Sequence, residues 1–289
     1  MIELPTKRPL IFRAVWCGVN LLLAAVVVSS LYAGIREYSV RQYLSGFSDA
    51  VVPESAAPEK RVEAILAWMK SGPSRYVAPD ASALSARDPE TTLNYKQLLS
   101  VCGTATNAFL NLARSGGLSV RRLLLLTPER NTKHVVAEVL INGRWIIVDP
   151  SYRVIFRNAQ GQLLTREDLR MPAVFAEAIS TVPGYPSEYN YDRYAHVRLA
   201  RLPLHGLRLR RVLDGALPGW DEAMNWNLLL ERKSFLILVI SACLTLFLLL
   251  LRAVLAWYAD RRLRIPRFRL REHALRAGAA FFSTPEIKQ

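Results

Sequence analysis

Apolar residues run from Ala14 to Ile35 without one charge, and again from Ser234 to Leu251, continuing past Arg252 through Ala253-Val-Leu-Ala-Trp-Tyr258. A bilayer core takes about 20 such residues, and Trp257 and Tyr258 stand where aromatic rings meet headgroups. The pattern predicts transmembrane helices at 14–35 and 234–258. For the first run a signal peptide is the alternative, because Lys7, Arg8 and Arg13 precede it and small residues near Ala33 offer a cleavage point.

Between the runs the periodicity changes several times. Ala50 to Pro58 is rich in Pro, Ala, Ser and Glu, so 36–58 reads as a linker. Val62, Ile65, Leu66 and Met69, with Trp68 beside them, recur at helical spacing until Gly72-Pro-Ser74. Residues 75–92 read as a loop. A second helix is predicted from Cys102, with Ala105, Phe109, Leu112 and Ala113 on its buried face and Gly116-Gly117 ending it. Val120 to Thr127 is strand-like and Thr127 to Thr132 a polar loop. Val135–Ile141 and Arg144–Val148 are strand-like runs joined by Asn142-Gly143, a pair that favours the tight type I′ hairpin turn. A helix packed on an antiparallel sheet of three or more strands is an α+β arrangement.

The hairpin places candidate chemistry. If Ile141 faces Arg144, Val136 faces Asp149; two residues back, His134 becomes a diagonal neighbour of Asp149 on one face, about 7–8 Å away at the backbone. An Asp beside a His fixes the imidazole tautomer and stabilises its charged form, as a cysteine nucleophile requires of its base. Cys102 opens a helix, where the dipole favours thiolate. Cys17 and Cys243 fall inside the apolar runs, so Cys102 is the only cysteine between them. The oxyanion of an acyl-transfer intermediate would meet the Cys102 N–H, with Gln97 as the candidate second donor ahead of Asn94 and Tyr95. Taken singly, a buried cysteine, a satisfied core histidine and an Asp in a turn are the structural alternatives. Glu138 reads as an ion-pair or rim residue. His196, His205 and His273 lack ligand spacing and no Gly-rich phosphate loop occurs, so neither a metal nor another cofactor is expected.

From about Val62 to Pro150 the chain resembles the transglutaminase-like domain, the papain-like cysteine fold of transglutaminases and many prokaryotic thiol proteases and amidases. The resemblance rests on Ala-Trp-Met in the first helix, Val-Cys-Gly-Thr-Ala-Thr-Asn-Ala-Phe-Leu-Asn-Leu-Ala-Arg-Ser-Gly-Gly, then His-Val-Val-Ala-Glu-Val and Gly-Arg-Trp-Ile-Ile-Val-Asp-Pro. It implies a Cys102, His134, Asp149 triad, and Glu138 and Trp145 also match. The chain departs where Ser100-Val101 precede the cysteine and Val135-Val136 follow the histidine; these positions bear on the oxyanion and substrate subsites.

The net charge of +14 is concentrated at the ends, above all in Arg261, Arg262, Arg264, Arg267, Arg269, Arg271 and Arg276. That distribution points away from nucleic acid and toward anionic lipid headgroups or a topology signal. By the positive-inside rule the tail, 259–289, and residues 1–13 are cytoplasmic. A composition rich in Arg, Leu and Ala points to a GC-rich bacterial genome. The expected location is therefore the inner membrane, crossed twice, with a domain at 59–160 and an extension at 161–233 in the periplasm. Within the extension, Thr165-Arg-Glu-Asp168 resembles a capping box, and Tyr185, Tyr189, Tyr191 and Tyr194 either line a sugar- or peptide-binding groove or pack the extension onto the domain. The expected function is a cysteine acyl-transfer enzyme (protease, amidase or transglutaminase-like) acting on a cell-envelope peptide, protein or modified polysaccharide. The alternative is a catalytically silent binding or scaffold module in an envelope-assembly complex with membrane-protein partners.

Overall fold

The computed structural model describes residues 7–71, 88–94, 96–197, 212–220, 228–229, 232–263, 275 and 278–279. It falls into two units, one of residues 1–31 with 239–289 and the other of residues 32–238.

The first unit holds parts of two helices, α1 (Lys7–Val51) and a C-terminal helix spanning Lys233–Tyr258 that ends in a π-helical turn, Ala259–Leu263. Both are long and apolar enough to cross a membrane. Within this unit they pack side by side, Val19 and Val26 against Leu248, with the Arg252 guanidinium 5.6 Å from the Trp16 ring. Their outer faces carry exposed Leu21, Val28, Leu31, Leu246 and Leu250, a distribution that suits lipid better than water.

The second unit is a mixed helical and antiparallel-sheet domain. Its sheet has five strands, β1 (Val120–Leu126), β2 (Thr132–Ile141), β3 (Arg144–Asp149), β4 (Val154–Ile155) and β5 (Tyr194–Ala195), in the order β4-β3-β2-β1-β5. The hairpin register follows the sequence: Ile141 pairs with Arg144 and Ala137 with Val148. Asn142 and Gly143 both take positive φ, 49° and 77°, the conformation that a type I′ turn requires at its two central residues.

Strand alternation gives the sheet two faces. One carries Val120, Leu124, Val135, Ala137, Val139, Ile146 and Val148, all buried, and receives α4 (Cys102–Ser115) through Ala105, Phe109 and Leu112. Helix α2 (Pro58–Ser71) adds Val62, Ile65, Leu66 and Met69 to the same core. The short α3 (Pro89–Asn94) contributes Leu93, and the 3-10 helix Lys96–Ser100 contributes Leu99. The other face carries Leu123, Leu125, Val136 and Ile147. It is covered by α5 (Arg166–Leu169), α6 (Pro172–Ser180) and the tyrosine-rich stretch beyond them, through Leu169, Phe175, Ala178, Tyr185 and Tyr191.

Three expectations change. The linker expected at 36–58 is helical as far as Val51, because Val40 and Leu44 on α1, with Val52 just past its end, join the α4-side core; polar composition hid a stripe of large apolar residues. Contact here is close, since a Cβ at Gly116 would lie 3.1 Å from Ser48 Oγ. The remaining connection is pinned by Arg61, which donates to the carbonyls of Glu54, Ala56 and Gly116 at 2.7, 2.8 and 2.9 Å. Of the loop expected at 75–92, Pro89 onward is helical and residues 75–87 lie outside the described residues. Finally, a boundary at 160 would cut the sheet from its own cover, since residues 164–191 bury the second face. The capping box at Thr165 and Asp168 is present and starts α5.

Candidate active site

Cys102, His134 and Asp149 come from both sides of the sheet and meet at the end of β2. Cys102 is the first residue of α4 and half-buried against Leu124, Leu126, Val135 and Ala195. The preceding residue, Val101, provides no side-chain cap, so the first-turn N–H groups of α4 are left for other acceptors. His134 and Asp149 lie on the opposite face and are 2 % and 0 % exposed. An irregularity in the β1–β2 ladder brings the residues together: Leu125 pairs with His134 but Leu126 with Thr132, so Lys133 is an extra residue beside the histidine. Such a bulge bends and twists a strand locally and re-aims the adjoining side chain.

His134 Nε2 lies 2.6 Å from Asp149 Oδ2, which leaves Nδ1 for Cys102. The two oxygens of Asp149 divide their work. Oδ1 accepts the backbone N–H groups of Ser151 and Tyr152 at 3.0 and 3.4 Å, the turn role common for Asp before a bend, and Oδ2 takes the imidazole. Burial opposes charge on His134, but hydrogen bonds to Asp149 and Cys102 outweigh it and raise its pKa to about 9. Hydrogen bonding to His134 is the largest influence on Cys102 and pulls the thiol below its ordinary range. Burial works against this, while the charge of His134 and the backbone N–H groups of Gly103 and Val135 reinforce it. The pair is thus biased toward thiolate and imidazolium, the reactive form of a cysteine nucleophile.

Gln97 lies in the 3-10 helix just ahead of Cys102, and its side chain lies outside the described residues, as does Tyr95. Asn94 accepts the Tyr43 hydroxyl at 3.4 Å. Glu138 holds Arg121 at 2.6 Å, and that guanidinium stacks 4.2 Å from the Trp145 ring, so Glu138 and Trp145 form a structural cluster two positions or more along the sheet from His134. Among the described residues no group of three or more His, Cys, Asp or Glu side chains is placed to hold a metal ion.

The tyrosines are the site residues that sequence reasoning left unassigned. Tyr189 stacks on the His134 ring at 4.3 Å with an interplanar angle of 11°. Tyr185 donates to Asp149 Oδ2 at 3.0 Å, and its hydroxyl lies 3.2 Å from that of Tyr191. Clustering of aromatic residues between Pro183 and Tyr194 was the available signal; nothing in it indicated which ring would face the histidine. Beside Tyr189 opens a cavity of about 380 Å³ whose walls include Leu126, Pro128, Lys133, Glu188 and Arg193.

A family model of the transglutaminase-like superfamily matches residues 46–150, a stretch that begins near the end of α1 and ends one residue after Asp149. No curated protein and no solved structure matches the chain. Residues 46–150 are a transglutaminase-like domain, carried on a chain with two helices long and apolar enough to cross a membrane.

Proposed function

We propose that the protein is a membrane-anchored cysteine acyl-transfer enzyme in which Cys102 is the nucleophile, His134 the general base and acid, and Asp149 the orienting carboxylate. The carrying observation is the Nε2–Oδ2 contact of 2.6 Å on a histidine whose other nitrogen serves a thiol at a helix start. His134 Nδ1 takes the Sγ proton and the thiolate attacks an acyl carbon. The resulting oxyanion meets the Cys102 N–H, with Gln97 as the second donor. As the tetrahedral intermediate collapses, the imidazolium returns its proton to the leaving amine or alcohol, leaving a thioester. Water or an amine, relieved of its proton by His134, then attacks the thioester and releases the thiol.

Membrane helices on either side of the domain and the basic tail support a two-pass protein with the domain on the periplasmic side, where a peptide, protein or modified polysaccharide of the envelope is the substrate. The cavity beside Tyr189, whose ring stacks on His134, offers a substrate an approach to the site.

The test is the pH dependence of iodoacetamide alkylation at Cys102, read by peptide mass spectrometry on the full chain in detergent, with and without His134→Ala. A thiol that reacts well below its free value of about 8.5 and shifts up in the variant is the expected result. A thiol indifferent to His134 would leave a silent binding module as the reading.

A further inference from the structure

Asp149 Oδ2 carries two donors at once. His134 Nε2 is 2.6 Å away and the Tyr185 hydroxyl 3.0 Å away. Because Oδ1 is already anchored by two backbone N–H groups, the carboxylate keeps its orientation without Tyr185. The second donor on Oδ2 therefore does something other than hold the group in place: it draws off part of the negative charge that His134 feels. An imidazole bound too firmly to a carboxylate is a strong base but a poor acid, and in acyl transfer the same ring must both take and return a proton.

We propose that Tyr185 is a positioning residue of this site, one that holds a permanent hydrogen bond on the Asp149 oxygen shared with His134 and so limits how firmly Asp149 retains the imidazole proton. This rests on the triad reading above.

Three observations carry it. Tyr185 is buried, so no water replaces its hydroxyl, and Phe156 and Phe175 fix its ring at centroid distances of 5.3 and 6.2 Å. Tyr191, 1 % exposed, stands 3.2 Å behind it and, by donating to the Tyr185 oxygen, strengthens the bond that Tyr185 gives. Burial, together with Tyr191 and Asp149, pushes Tyr185 far above the ordinary phenol range, so it remains a donor at every pH at which the protein functions. The other titratable groups around the pair are Cys102 from α4, Tyr152 from the turn after β3, and Tyr189, itself pushed up to about 12 chiefly by burial and by Tyr152. Among these only Tyr185 bonds the shared oxygen besides His134.

The experiment follows Cys102 alkylation against pH in the full chain for wild type, Tyr185→Phe, Tyr191→Phe and Asp149→Asn. Asp149→Asn removes the charge and should lower the pH at which His134 loses its proton. Tyr185→Phe should raise that pH by roughly 0.5–1 unit, the equivalent of one net hydrogen bond, and Tyr191→Phe should raise it by less. A merely structural role would change the thermal midpoint and leave the profile in place. If Asp149→Asn shifts the profile while Tyr185→Phe leaves it unmoved or lowers it, the Tyr185 proposal is wrong and the triad stands. If Asp149→Asn also has no effect, the triad reading fails first. Should Tyr185→Phe not fold, Tyr191→Phe, which leaves Asp149 untouched, decides by the same sign.

Discussion

The two faces of the sheet differ in what they cover and in what they do. The α4 face is mainly an apolar core, where Phe109 and Leu112 fill space against Val120, Ala137 and Val139, with a few buried polar groups such as Thr106, which donates to the Val135 carbonyl at 2.9 Å. Across the sheet, Leu123, Val136 and Ile147 are equally buried, but their cover ends in tyrosines, and the Tyr185 hydroxyl reaches the buried Asp149 carboxylate. A purely apolar lid there would leave an oxygen of Asp149 with a single partner in a dry site, at a cost of about 1–3 kcal/mol per unmet group. The comparison teaches that both faces support the fold and that each brings part of the candidate site, Cys102 from the α4 face and His134, Asp149 and the tyrosines from the other.

Experiments can break or sharpen that contrast. The largest effect is expected at the proposed nucleophile: Cys102→Ser should reduce the proposed acyl transfer by about 10³-fold or more while the thermal midpoint stays close to wild type. Measuring both in one preparation separates chemistry from folding. Phe109→Ala, deep in the α4 face, should cost about 3–5 kcal/mol in urea unfolding and leave the alkylation profile of the folded fraction where it was; a displaced profile would mean that the faces are coupled. Glu138→Gln, on the tyrosine face but away from Asp149, removes the charge that pairs with the half-buried Arg121 and should cost about 2–3 kcal/mol with no change in the profile.

Stability against pH gives a finer test. His134 holds its proton up to about 9, above the unfolded value of about 6.5, so its contribution is complete below pH 6.5 and disappears as pH rises through 9. Cys102, lowered in the fold, contributes with the opposite sign: its stabilisation is present above the unfolded thiol value and is lost as pH falls through the folded one. The two trends have opposite signs, so the thiol works against the histidine's decline. Urea midpoints should fall less steeply between about pH 6.5 and 9 in the wild type than in Cys102→Ser, where the thiol's contribution is gone. The smallest effect is expected at Arg157, whose half-exposed bridges to Glu59 and Glu63 tie α2 to the segment after β4; Arg157→Ala should cost less than about 1 kcal/mol.

Much of the α4 face was legible in the sequence because local rules suffice for it. Helical spacing in Val62 to Met69 and from Ala105 to Ala113 named the buried residues, and Asn142-Gly143 fixed a register from which His134 and Asp149 share a face. The stripe of Val40 and Leu44 on α1 was missed, since a polar, Ala-rich stretch downstream masked it. At the site, residue order and the helix start pointed to Cys102, but no local pattern announces the bulge at Lys133 beside His134. The tyrosine segment was undecided between groove and packing, and the structure gives it parts of both: Tyr185 and Tyr191 are buried, while Tyr189 lines a cavity.

By itself, then, the sequence determined helices α2 and α4, the β2–β3 hairpin and its register, the helix-opening cysteine and the two membrane-length helices, because each depends on residues close in the chain: periodicity, turn chemistry, uninterrupted apolar length. Only the tertiary structure decided that Tyr185, thirty-six residues beyond Asp149, shares its oxygen with His134 and that Tyr189 stacks on the imidazole. Contacts of that kind depend on how an irregular segment closes over a sheet face, which is set by the summed packing of α5, α6 and both cores and by no pattern within the segment itself.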